Sequence, residues 1–246
     1  MKIVIAYLYY DLLNLYGESG NLKMLKNHLE NQEIDVIIKF LTIDDKLEFD
    51  KYDLVLMSAG TEKNQRLALH HLIKYKKDII NAIQNKKFFL ITGNAIDLFG
   101  KYIITKNKKK IKCLGCFDYI IHESEIRIVN DALFLNKETN DYIIGFQNQS
   151  SILTNNKNSL FEVLIGSGDS KNTKDEGIHY NNFYGTYLIG PLLVRNPKFT
   201  EEFIRKLILS INPDFVFKDF DFSFESEAYE KYFNIHYNQF SKKNPH

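Results

Sequence analysis

The stretch from Lys87 to Gly100, KFFLITGNAIDLFG, constrains the fold more than any other part of the chain. Its apolar run, Phe88 to Ile91, reads as a short strand buried on both faces. The run breaks at Thr92-Gly93-Asn94 and resumes as a short, mostly apolar helical segment. Open α/β folds carry their chemistry where a strand ends in such a turn. In one large enzyme group that turn holds a strained Ser or Cys nucleophile. Here the position is Gly93, which has no side chain to react.

The first hundred residues supply neighbours for a parallel strand at this place. KIVIAY (2–7), IDVIIKFL (34–41) and YDLVLM (52–57) are three further apolar runs, and helical patterns alternate with them. One helix opens at Ser19-Gly20-Asn21, with Ser19 as its N-cap and Leu22, Leu25 and Leu29 on one face. A second runs from about Asn64 to Asn85, with Leu67, Leu72, Ile79, Ile80 and Ile83 as its apolar face. The third strand ends in Ser58-Ala59-Gly60-Thr61, small residues that let backbone come close to a ligand. Strand–helix alternation implies an α/β fold with a mostly parallel sheet.

Beyond Gly100 the runs shorten. Residues 102–105, 119–121, 126–129, 132–135 and 142–146 are expected as mixed strands decorating that sheet. Residues 167–177 are expected as a surface hairpin or loop, 185–191 as a strand stopped by Gly190-Pro191, and 200–210 as a helix. From Asn212 the chain turns acidic and aromatic, with Phe215, Phe217, Phe220, Phe222 and Phe224. A last helix over about 225–240 would carry Tyr229, Tyr232, Phe233 and His236 on one side. This divides the chain into a domain over 1–212 and an extension over 213–246.

Charge and cysteine usage narrow the function. A formal net charge of +1 argues against broad binding to nucleic acid or anionic lipid. The Lys-rich run at 106–112 then reads as a solvated hairpin tip. Two Cys exclude a disulfide framework and suit the reducing cytoplasm. No signal peptide and no membrane-length apolar stretch is expected.

Six segments in order carry a family resemblance: Asn14-Leu15-Tyr16 with Gly20-Asn21, then Ser58 to Glu62, then the turn at 93. After these come Gly145-Phe146-Gln147-Asn148, Gly177-Ile178-His179-Tyr180, and Gly185 to Leu188 with Gly190-Pro191. Over about residues 1–212 the chain resembles class I glutamine amidotransferases of the cobyric acid synthase type. Within them it is most similar to the glutaminase subunits of lipid II isoglutaminyl synthase. The resemblance implies a flavodoxin-like, mostly parallel sheet with helices on both faces. It implies no cofactor and no metal, and a Mur-ligase-like partner subunit that receives ammonia for stem-peptide amidation in peptidoglycan synthesis.

The family's reaction uses a Cys at the elbow, a His at a distant strand end and backbone donors from a Gly-rich loop. By the resemblance, the Cys position falls on Gly93 and the His position on Ile189. Asn94 and Ala95 stand for a Gly-Gly pair, Asp97 stands for Gln, and Ser58-Ala59-Gly60 keeps one Gly of three. Both reactive groups are therefore expected to be absent, and with them glutaminase activity.

Ligand-binding candidates remain at Arg127, Gly60, Thr61 and Asn94. Arg127 matches a family Arg of the glutamine pocket. It can clamp a carboxylate of glutamine or glutamate, or it can form a surface ion pair with Glu123 or Glu125. A working enzyme of altered chemistry would need Asp97, His179, Thr61 or a thiol beside Gly93. Cys113 and Cys116 form a lone C-x-x-C, which reads better as two small, partly buried apolar residues than as half a zinc site. His70 and His71 adjoin on a helix and point to different sides.

Overall fold

The computed structural model describes residues 1–170 and 173–241. Its first hundred residues form β1 (Lys2–Leu8), α1 (Ser19–Asn31), β2 (Asp35–Leu41), β3 (Leu54–Met57), α2 (Glu62–Leu72), α3 (Lys76–Gln84) and β4 (Phe88–Thr92). Next come β5 (Tyr102–Ile104), β6 (Lys110–Lys112), β7 (Ile120–Asn136), β8 (Tyr142–Thr154) and β9 (Phe161–Ile165). Then follow β10 (Asp175–Glu176), β11 (Ile178–Tyr180), β12 (Phe183–Thr186) and β13 (Leu188–Ile189). Helices α4 (Leu192–Arg195), α5 (Pro197–Ile211), α6 (Ser223–His236) and α7 (Asn238–Ser241) close the described chain.

The first sheet runs β2-β1-β3-β4-β12-β11. All its neighbours pair in parallel except β11 with β12. The period of two along each strand sends alternate side chains to opposite faces. Leu8, Val55, Met57, Phe89 and Ile91 face α2 and α3, where Leu69, Leu72, Ile79 and Ile83 wait. Ile5, Leu54, Leu56, Phe88 and Leu90 face α1 and α5, against Leu22, Leu25, Phe203 and Leu207. Burial on both faces is why β4 is apolar at every position from Phe88 to Ile91. Truncating Phe88 or Phe89 to Ala would cost about 3–5 kcal/mol. The expected α/β architecture with a mostly parallel, doubly covered sheet is what the chain forms.

Several local expectations need correction. The helix expected over 64–85 is broken by a 3-10 turn at Ile73–Tyr75, which brings the Tyr75 ring against His71 and Phe49. Leu67, counted on its apolar face, is 43% exposed. Ser19 is not the cap of α1 but its first residue, and its N–H donates to Asn14 Oδ1 at 2.9 Å. The helix expected from Thr200 starts at Pro197, where a missing N–H costs nothing. The terminal helix is two pieces, α6 and α7.

The largest difference lies after Gly100. The short runs do not decorate the first sheet; they build a second one, β10-β9-β7-β5-β6, with β8 against β7 and β13 against β8. Runs expected as separate strands are parts of β7 and β8, which pair along nearly their whole length. A register irregularity between Glu123 and Ile128 interrupts the alternation that would have revealed one long strand. The chain also changes sheet within 183–189: β12 belongs to the first sheet and β13 to the second. Ile189 is thereby carried from the second sheet to the end of β4.

Candidate functional site

The elbow keeps the backbone of a strand-to-helix turn. β4 delivers Thr92 in extended conformation, Gly93 follows at φ +60, and residues 93–99 wind into a 3-10 segment. A side chain in that left-handed region is strained, so glycine is at ease where a nucleophile would be held under tension. There is also no room for one. A Cβ on Gly93 would stand 2.5 Å from the Ala59 Cβ and 3.0 Å from Ile189 Cγ2. Ala59 is 3% exposed and Ile189 1%. Apolar atoms therefore fill the volume in front of the elbow.

The loop from Ser58 to Thr61 is locked onto the elbow by a reciprocal pair. Gly60 N–H donates to Asn94 Oδ1 at 3.0 Å, and Asn94 Nδ2 donates to the Gly60 carbonyl at 2.8 Å. A backbone donor that could face a developing oxyanion is thus already engaged. Thr61 caps α2, its Oγ1 accepting from Asn64 N–H at 3.2 Å.

Behind the elbow two carboxyls are buried. Glu18 accepts from Thr92 Oγ1 at 2.5 Å, from Gly190 N–H at 2.6 Å and from Asn21 Nδ2 at 3.1 Å. It ties the residue before Gly93 to the residue after Ile189. Burial pushes its carboxyl up to about 7, and these donors only partly offset that. Asp97 accepts from Tyr187 Oη at 2.6 Å, Ser151 Oγ at 2.8 Å and Gln65 Nε2 at 3.0 Å. It too is raised by burial, against the pull of those donors.

Beside the elbow a cleft of about 330 Å³ opens between the two sheets, lined by Tyr16, Gly60, Gln65, Asn94, Arg127 and Asn148 among others. Arg127 sits at its exposed side. Its partner is neither Glu123 nor Glu125: Nη2 donates to Glu62 Oε1 at 2.6 Å and Nη1 to Asn148 Oδ1 at 2.9 Å. Asn148 in turn donates to Tyr16 Oη at 3.0 Å, while Glu123 is taken by Arg66 at 2.5 Å. A latch of polar contacts so joins β7 and β8 to the start of α2. The four ligand candidates, Arg127, Gly60, Thr61 and Asn94, do share this cleft wall.

The other candidates lie elsewhere. His179 is on edge strand β11, its ring stacked on Tyr184 at 4.5 Å, with burial holding it neutral. His71 is in contact with Tyr9 Oη through Nδ1 at 3.0 Å. Both thiols are free, and burial pushes Cys113 and Cys116 up to about 12. Among the described residues, no group of three or more His, Cys, Asp or Glu could hold a metal ion. Sequence reasoning did not single out Glu18, gave Glu62 no role, and named Ala59 only as a lost loop glycine. An acid inside the motif NLYGESGN was the signal for Glu18; nothing in the sequence showed that the Ala59 methyl would face Gly93.

Residues 4–197 match the CobB/CobQ-like glutamine amidotransferase domain. The chain belongs to that family. Among its relatives is the GatD subunit of the glutamine-hydrolyzing lipid II isoglutaminyl synthase of Streptococcus pneumoniae. The two are 30% identical over 198 residues, 79% of this chain and 76% of that protein. The corresponding GatD subunit of Staphylococcus aureus is 29% identical over 205 residues, 83% of this chain and 84% of that protein. In fold the chain is similar to a glutamine amidotransferase from Thermotoga maritima, at a TM-score of 0.51 and 12% identity over 95% of this chain and 92% of that one. A second glutamine amidotransferase structure matches at 0.54 and 11%, over 82% and 98%. Within this fold β13, a strand of the second sheet, sets Ile189 against the turn at Gly93.

Proposed function

We propose that the chain is the amidotransferase-like subunit of a two-protein system akin to lipid II isoglutaminyl synthase, and that it no longer hydrolyses glutamine. It works in the cytoplasm as the structural partner of a Mur-ligase-like protein. That partner uses free ammonia for stem-peptide amidation, or performs a different reaction. The observation that carries this reading is the filled elbow, where Ala59 and Ile189 close on a glycine held at positive φ. Amide hydrolysis of this class needs a nucleophile, a base to activate it and donors for the oxyanion. Gly93 and Ile189 supply neither of the first two, and the Gly60 N–H is bonded to Asn94. Asp97 does hold a hydroxyl, Ser151 Oγ at 2.8 Å, but Tyr187 and Gln65 also donate to that carboxylate and tie it into a buried network.

Purification of the tagged chain from its native host tests the partnership. Stoichiometric recovery of a Mur-ligase-like protein is expected; recovery of the chain alone would overturn it.

A second reading, binding of a free amino acid, rests on the cleft beside the elbow. A ligand carboxylate there has to displace Glu62 from Arg127. Calorimetry with glutamine and with glutamate decides it. Binding that disappears in Arg127→Ala supports this reading, and no heat with the unaltered chain ends it.

A further inference from the structure

The segment after α5 folds back over the first layer, where Phe215, Phe217, Phe220 and Phe222 lie against the face made by α1 and α5. Two fixings set its path. The Gln32 carboxamide pairs with the Lys218 backbone, donating to its carbonyl at 3.1 Å and accepting its N–H at 2.9 Å. The Arg205 guanidinium lies 4.6 and 4.7 Å from the ring centroids of Phe217 and Phe220.

The third fixing is of another kind. His28 of α1 stacks on Phe222 with ring centroids 3.9 Å apart and is 1% exposed. Neither of its ring nitrogens has a hydrogen-bond partner. A neutral imidazole carries one donor and one acceptor, and leaving both buried and unpaired costs stability. An imidazolium in the same place would cost far more. Three carboxylates stand within electrostatic reach: Asp221 on the segment, Glu225 in the first turn of α6 and Glu201 on α5. Burial acts most strongly and keeps the ring neutral, while those carboxylates pull it toward charge. The nearby cations are already matched, Lys218 by Glu33 at 2.5 Å and Arg205 by Glu201 at 2.7 Å.

We propose that His28 is a pH-operated latch on the segment 215–222. Neutral, it stacks on Phe222 and seats the segment; protonated, it turns out toward Asp221 and Glu225 and frees Phe222. The sign follows from which form is buried. The seated ring binds its proton less readily than the released one, so release becomes easier as pH falls through the ordinary histidine range. Arg195 of α4 lies 5.9 Å from the Tyr232 ring centroid on α6, and α4 follows Ile189 and Gly190 in the chain.

Hydrogen exchange at the Lys218 N–H, corrected for the intrinsic pH dependence of amide exchange, reads the latch directly. Between pH 7.5 and 5.5 its protection should fall by as much as about tenfold relative to the amides of β4, from a released-state value near 6.5. His28→Phe keeps the stack and cannot titrate, so its protection should not depend on pH. Unchanged protection in the unaltered chain, or the same fall in His28→Phe, would overturn the proposal. If His28→Phe does not fold, judged by β4 protection, His28→Gln makes the same comparison with the same expected loss of pH dependence.

Discussion

The elbow at Gly93 and the latch at Arg127 lie on the same cleft and are built in opposite ways. The elbow is apolar and closed: a Cβ on the glycine would come within 2.5 Å of Ala59 and 3.0 Å of Ile189, both buried. The latch is polar and half-exposed, with Glu62, Arg127, Asn148 and Tyr16 bonded one to the next in a chain. Close packing leaves no slack for an added atom, whereas a solvated ion pair rearranges at little cost. On the proposed reading, the site is closed where a reaction would occur and adjustable where a ligand would touch.

The strongest way to break this contrast is Gly93→Cys. The new Cβ would clash with Ala59 and place an L side chain at φ +60. Overpacking and left-handed strain together should cost about 2–5 kcal/mol in denaturant unfolding. Adding Ala59→Gly should recover part of that and leave the backbone strain. If Gly93→Cys is as stable as the parent, the elbow is not filled as described.

Glu18 sharpens the contrast from behind the elbow. Its carboxyl rises from 4.5 unfolded to about 7 folded, so between those values the folded chain holds more protons than the unfolded one. Its contribution is fully present below about 4.5 and is lost as pH rises through about 7, a swing of about 3 kcal/mol. Asp169 and Glu176, also raised by burial, act in the same direction, so the difference between the parent and Glu18→Gln is the quantity to measure. A parent and variant with parallel stability–pH curves would remove Glu18 from this role.

The smallest effect belongs to the latch. Arg127 and Glu62 have side chains 44% and 52% exposed, and pairs of that kind contribute about 0–1 kcal/mol. Arg127→Ala should leave the unfolding midpoint nearly unmoved. A loss above about 2 kcal/mol would mean that the latch, and not only the elbow, holds the two sheets together.

The sequence made the first layer legible because periodicity is a local property. Four apolar strands and the helices between them could be read from spacing, and β4 with its turn was placed within a residue. The break at Ile73–Tyr75 was not, because the ring contacts of Tyr75 are tertiary. The second sheet was hidden by the register irregularity in β7, which disguises one long strand as several short ones. At the site, the glycine at 93 is written in the chain. That Ala59 fills the space in front of it, or that Glu62 rather than Glu123 meets Arg127, depends on which loops the fold brings together. Polar partners across more than sixty residues leave no pattern in one sequence.

Ammonia release from glutamine, by the purified chain alone and together with any subunit that co-purifies with it, bears most directly on the central claim. The filled elbow predicts no release above the uncatalysed background in either sample. Release at an ordinary enzymatic rate, about 1 per second or faster, would contradict it.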